Sequence, residues 1–219
     1  MFILGNYFYF CYNYIQDMDE QVLIHDASNG DLDAFNRLVL AYQDRVYHQA
    51  YRMLSDPAMA ADATQDAFIS AYRKLNTYRG GSFLAWLLRI VTNACYDELR
   101  RRQRRPTVPL EPIDSDNQEV ESPRWMVDPG ESPEEAAERL ELGRAIQRCL
   151  SKLGPDFRAV AVLVDIQGLD YQEAAQVLGC ALGTVKSRLA RARLSIKDCL
   201  RGFRELLPAI FRLGDEGVI

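Results

Sequence analysis

Apolar residues recur at three- and four-residue intervals over three long stretches. Phe35, Leu38, Val39, Tyr42, Val46, Ala50 and Leu54 mark one helix face, and Leu84, Leu87, Leu88, Val91, Cys95 and Leu99 mark a second. Leu140, Gly143, Ile146, Leu150 and Leu153 continue the pattern until Gly154-Pro155 interrupts it. Shorter segments follow: the spacing predicts a helix over 158–165, a turn at Ile166-Gln167-Gly168, a helix over 171–178, a turn over 179–182, and a helix from Thr184, which serves as its N-cap. No pair of alternating segments carries hairpin chemistry, so the chain is expected to be all-α, and its last three helices have the layout of a helix-turn-helix.

Composition and charge divide this helical chain. With 48% hydrophobic residues over 219 positions it can build real cores and is not a disordered polymer. Its formal net charge is -5, yet the acidity is local: eleven carboxylates lie between Glu111 and Glu141 against Arg124 and Arg139. Six of the nine prolines lie between Pro106 and Pro133 and deny that stretch regular structure. The expectation is therefore two small helical domains, 18–105 and 134–200, joined by a flexible acidic linker over 106–133, with a short tail over 201–219. Residues 1–17 are apolar and aromatic but lack a basic start and are too short to span a bilayer, so they read as an uncertain extension rather than an anchor. Trp125-Met126-Val127 is an apolar island within the linker, and Trp86 falls on an apolar helix face, where a core role is expected.

Candidate chemistry concentrates in three places. The segment GTVKSRLARAR, 183–193, sets Lys186, Arg188, Arg191 and Arg193 on the last helix, with Val185 and Leu189 facing inward and Arg188 and Arg191 outward. The segment DATQDAFISAYRKL, 62–75, runs a polar stripe of Asp62, Gln65, Asp66 and Ile69 beside apolar Ala63, Phe68, Ala71 and Tyr72. Finally, YRGGSFLAWLLRIVTNACYDELRRRQRR, 78–105, is a glycine-containing loop leading into a helix with Arg89, Asn93 and Tyr96 before a block of arginines. Stacking rings, an amide and cations together are what unstacked bases and their phosphates require. The five cysteines are odd in number, dispersed and without a C-x-x-C pair, which argues against a disulfide framework or a zinc site and fits a reducing cytoplasm. His25 and His48 have no partner motif. No clustered carboxylates or nucleophile-base pair is visible, so neither a metal, a cofactor nor an enzymatic activity is expected.

These motifs resemble those of the extracytoplasmic function sigma factors, the compact branch of the sigma-70 family of bacterial RNA polymerase. The likeness covers about residues 20–104 and 134–200. It rests on GDLDAF, DATQDAF, YRGG and WLLRIVTNACYDELRRR in the first part and on LGPDFRAVAVLVDIQGLDYQEAAQVLGCALGTVKSRLARAR in the second. The resemblance implies a region 2-like bundle that binds core polymerase and melts the -10 element, and a region 4-like helix-turn-helix that reads the -35 element. Asp62, Gln65, Asp66 and Ile69 would dock on the β′ clamp, with the β flap as a further core contact. Tyr78, Arg79, Gly80, Ser82, Phe83, Arg89, Asn93, Tyr96 and Arg100 would handle the -10 strand. Thr184, Lys186, Ser187, Arg188, Ala190 and Arg191 would face the -35 major groove. A cytoplasmic protein with an anti-sigma partner, able to hold it at the membrane, is implied as well. The loop after Gly81 is a residue shorter than in many relatives.

Two other classes stay open on the residues alone: a stand-alone helix-turn-helix regulator, which gives no reason for the acidic stripe, and an enzyme such as a nuclease. A linker of about 28 residues has a coil span near 30 Å, whereas two elements one to two helical turns apart lie roughly 34 to 70 Å from each other. The free chain is therefore expected not to read DNA as a unit, with the acidic linker competing for the basic patches until polymerase holds the modules apart.

Overall fold

The structure is a computed structural model that describes residues 19–104 and 132–206, and every described element is helical. Four helices precede the undescribed segment: α1 (Glu20–Ser28), α2 (Leu32–Leu54), α3 (Pro57–Lys74) and α4 (Phe83–Arg104). Four follow it: α5 (Pro133–Ser151), α6 (Pro155–Ala161), α7 (Tyr171–Leu178) and α8 (Leu182–Leu200). The expected 1–17 extension, the linker with Trp125, and the end of the tail lie outside the described residues.

Local chemistry sets the helix starts. Asp19, Asp31 and Asp56 each accept backbone N–H groups of the turn they precede, and Pro57 opens α3, where a missing N–H costs nothing. Asp170 and Glu173 form a reciprocal capping box on α7. The expected cap at Thr184 is corrected: α8 begins at Leu182 after Ala181, with no side-chain cap, and the Thr184 N–H donates to the Ala181 carbonyl at 2.9 Å. Thr184 therefore sits within the first turn, where its hydroxyl is not at the position that caps the helix. The segment predicted over 158–165 is also different in detail. It runs from α6 into a π turn over Val162–Ile166, where the Gln167 N–H reaches back to the Val162 carbonyl at 2.8 Å.

The apolar stripes meet as their spacing predicts. Leu38, Val46, Ala50 and Met53 of α2 pack with Phe83, Leu88, Val91 and Cys95 of α4. That core does not stop at the first four helices: it continues through Ala159, Val160 and Leu163 to Ala174, Val177, Val185 and Leu189. The two helical groups thus share one contiguous interior, which α2 and α4 form with α6, the π turn, α7 and α8, while Leu150 and Leu153 pack with Ala161, Val162 and Ala192 in a second cluster. Inside it, Gln49 donates to the Thr92 hydroxyl at 3.1 Å, both side chains fully buried. Beside it, burial and the neighbouring Arg52 push the half-buried His48 imidazole down to about 4.

Cys149 and Cys199 form a disulfide between α5 and the end of α8, with Cα atoms 5.7 Å apart and 50 positions between them in sequence. This corrects the expectation drawn from cysteine spacing, because the pairing is made by two helices that meet only in the tertiary fold and leaves no local motif. Cys95 and Cys180 are free, and burial raises the Cys95 thiol to about 12. Closing a loop of this length stabilises by about 2–4 kcal/mol. Cys149→Ser should therefore lower the urea midpoint of the oxidised protein, and the difference from wild type should vanish in excess dithiothreitol; a deficit that persists under reduction would place the effect in packing instead.

Candidate nucleic-acid interface

On α3, Asp62, Gln65, Asp66 and Ile69 are all exposed, while Ala63, Ala67, Phe68 and Ala71 are buried on the opposite face. Asp62 and Asp66, four apart, repel each other modestly and Ile69 is 43% exposed, so this stripe does nothing for the folded chain itself.

The loop between α3 and α4 is held from within. Gly80 and Gly81 sit at φ +90° and +92°, where a side chain is strained, although no atom lies close enough to clash with an added Cβ. The Tyr78 hydroxyl donates to the Gly81 carbonyl at 2.6 Å, Arg79 to the Asn76 carbonyl at 3.2 Å, and the Ser82 hydroxyl accepts the Ala85 N–H at 3.1 Å. Phe83 is 1% exposed: it belongs to the core and lies beneath the others, its ring 5.4 Å from both Tyr78 and Trp86. Trp86 is half-buried on this stack, as its apolar face predicts. The loop thus presents Arg79, Gly80, Gly81 and Ser82 to solvent over an aromatic base.

Helix α4 carries Arg89, Asn93 and Arg100 along an exposed face, with Asp97 pairing to Arg100 at 3.2 Å. The arginine block is divided in use. Arg102 reaches the α3 cap Asp56 at 3.1 Å, and Arg101 pairs with Glu98 at 2.6 Å while staying exposed. Tyr96 falls on this same face, between Asn93 and Arg100, but is half-buried, and its hydroxyl is held by the carboxylate of Asp156 from α6. Burial first, and then that carboxylate, push its ionisation far upward.

In the helix-turn-helix, Gly179 ends α7 in the left-handed region at φ +61°, and the chain turns directly into α8. Val185, Leu189 and Ala192 are buried, so Lys186, Ser187, Ala190 and Arg191 are turned to solvent, with Thr184 half-buried beside them. Two expected cations are engaged elsewhere. Arg188 pairs with Asp156 at 2.7 Å, and Arg193 grips Asp165 with two bonds of 2.5 and 3.1 Å. Sequence reasoning missed Asp156, reading it only as part of a helix break; its spacing from Arg188 and Tyr96 offers no local signal.

The sequence and the fold have known counterparts. Models of sigma-70 region 2 and sigma-70 region 4 match residues 38–105 and 143–196. The ECF RNA polymerase sigma factor SigE of Mycolicibacterium smegmatis is 37% identical over 192 residues, covering 86% of this chain and 71% of that protein. The RNA polymerase sigma-H factor of Pseudomonas aeruginosa is 36% identical, covering 85% and 95%, and the ECF sigma-E factor of Escherichia coli K12 is 35% identical, covering 84% and 95%. Among solved structures, CnrH in complex with the cytosolic domain of CnrY superposes with a TM-score of 0.61 at 28% identity, covering 84% of this chain and 97% of that one. The sigma factor RpoE of Bartonella quintana, in complex with the anti-sigma factor NepR, gives 0.59 at 26% identity, covering 78% and 98%. Both sigma-70 regions in order, and relatives matched over most of their length, place this chain among the ECF sigma factors of the sigma-70 family.

Proposed function

We propose that this sigma factor divides its work between residues 18–105, which hold core RNA polymerase and the -10 strand, and residues 134–200, which read the -35 element. The observation that carries this is the α3 stripe of Asp62, Gln65, Asp66 and Ile69, exposed together and of no use to the fold. It is the surface offered to the β′ clamp, with the β flap engaging the C-terminal module. Arg79, Ser82, Arg89, Asn93 and Arg100 line a path for a single strand over the Tyr78–Phe83–Trp86 stack, and Lys186, Ser187, Ala190 and Arg191 meet duplex phosphates and base edges. A base captured on that path offsets part of the cost of unstacking, so sequence choice and strand opening become one event. The chain acts as an initiation factor and needs no cofactor.

The complexes of CnrH with the cytosolic domain of CnrY and of RpoE with NepR support an anti-sigma partner here too. A cytoplasmic location, or a membrane-held one through that partner, follows; no described helix is long and apolar enough to cross a membrane.

Reversing the stripe with Asp62→Lys and Asp66→Lys should reduce retention on immobilised core polymerase by about tenfold or more and abolish run-off transcription, with the circular dichroism spectrum unchanged. Undiminished retention would remove the stripe from the core-binding surface.

A further inference from the structure

By helical spacing Arg193 continues the solvent face of α8 that carries Lys186 and Ala190, one turn beyond the residues assigned above to the -35 element. Spacing alone would make it one more phosphate contact. The bonds it makes give it another role. Its Nε and one terminal nitrogen donate to the two oxygens of Asp165 at 3.1 and 2.5 Å, and the Tyr171 hydroxyl bonds the same guanidinium. The edge that would fork onto a phosphate or a guanine is therefore already filled.

We infer that Asp165 and Arg193, steadied by Tyr171, form a brace that fixes the rotation of α8 within the helix-turn-helix, and that they are positioning residues for -35 recognition, not contacts to DNA. The inference rests on the assignment of α8 to that element proposed above. The three groups come from three elements: Asp165 from the π turn, Tyr171 from the first position of α7, and Arg193 from α8, 28 positions from Asp165. Turns of the π kind are rare within helices and frequent at functional sites.

Burial of Val185, Leu189 and Ala192 settles which face of α8 points inward. Apolar contact is non-directional, however, so it leaves the finer rotation of the helix about its axis to other groups. Side chains on a helix reach roughly 5–6 Å from its axis, so a turn of about 10° carries Lys186, Ser187 and Arg191 through about 1 Å. Recognition by hydrogen bonds tolerates about half of that. A bidentate fork resists the rotation because both of its bonds are directional. The pair adds little to stability, its side chains being 49% and 33% exposed, so its effect is on geometry.

The test uses the full-length chain with core polymerase, on a promoter that the wild-type holoenzyme transcribes and on the same promoter with single base changes across its -35 element. Asp165→Ala should weaken binding of the matched promoter by about tenfold and flatten the preference for it over the changed ones, with core retention and the circular dichroism spectrum unchanged. Arg193→Lys should fall equally, since an ammonium keeps the charge and loses the fork. The double variant Asp165→Ala/Arg193→Ala should bind no worse than either single one, as two ends of one contact do. In all of these the slope of log affinity against log salt should stay that of wild type, whereas Lys186→Ala should reduce it by about one. A phosphate contact at Arg193 predicts the reverse: Arg193→Lys retains affinity, Arg193→Ala loses about one unit of slope, and Asp165→Ala, which frees the guanidinium, binds at least as tightly as wild type. Any of these, or additive losses in the double variant, overturns the brace. A wild type indifferent to the -35 changes would instead sink the assignment of α8 to that element.

Discussion

Arg188→Ala should reduce run-off transcription from a -35-dependent promoter by roughly 5- to 150-fold, the range that the loss of one bidentate guanine contact spans at 1–3 kcal/mol. Core binding should be unchanged, because the residue is far in sequence and on a different helix from the α3 stripe. The protein should lose little stability. The Arg188–Asp156 pair is partly solvated, with side chains 30% and 50% exposed, and such pairs contribute about 1 kcal/mol or less. The direct bond of Tyr96 to Asp156 does not involve Arg188, so core retention should stay intact even as promoter reading fails. That divergence distinguishes a lost reader from a damaged fold: parallel loss of core retention and transcription would mean the latter.

The largest expected stability effect lies at a residue with no place in DNA reading. Arg158, 8% exposed, donates to the Leu150 carbonyl at 2.9 Å, the Ser151 carbonyl at 2.6 Å and the Leu153 carbonyl at 3.1 Å, and its other terminal nitrogen reaches the Met53 carbonyl. One guanidinium thus collects the open carbonyl ends of α5 and α2, where the helix dipoles also favour a cation. Arg158→Met keeps most of the volume and removes every donor, leaving those carbonyls without it. A loss of about 3 kcal/mol is expected, read as a fall in the urea midpoint, and a melting temperature lower by about 6–12 °C. Arg158→Lys should rescue only a minor part, since a single ammonium cannot span carbonyls on two helices as a planar fork does. A midpoint within error of wild type for Arg158→Met would show that water satisfies these groups equally well.

How much of this was legible from the chain differs by the range of the interaction. Helix faces were, because a 3.6-residue period places Leu38, Val46 and Ala50 or Leu88, Val91 and Cys95 on one side whatever they later pack against. The α3 stripe and the solvent face of α8 were legible for the same reason, as complements of buried faces. Phe83 was not: loop and helix chemistry overlap at its position, and only its neighbours reveal it as the floor of the aromatic stack rather than its surface. Gln49 and Thr92, Gln147, Arg158 and Gln167 gave no signal, since each is a polar residue whose burial depends on an acceptor supplied from 5 to 122 positions away. Cys149 and Cys199 belong with them.

By itself the order of residues determined the helices, their apolar faces, the placement of charge along the chain and the motifs of both sigma-70 regions, because each depends on neighbours within a few turns. Only the tertiary structure decided that the two modules share an interior, that Asp156 engages Arg188 and Tyr96 together, and which cations remain turned to solvent. Those outcomes depend on which surfaces meet across the molecule, and a desolvated carboxylate, amide or guanidinium takes its partner from whatever the packing brings within about 3 Å.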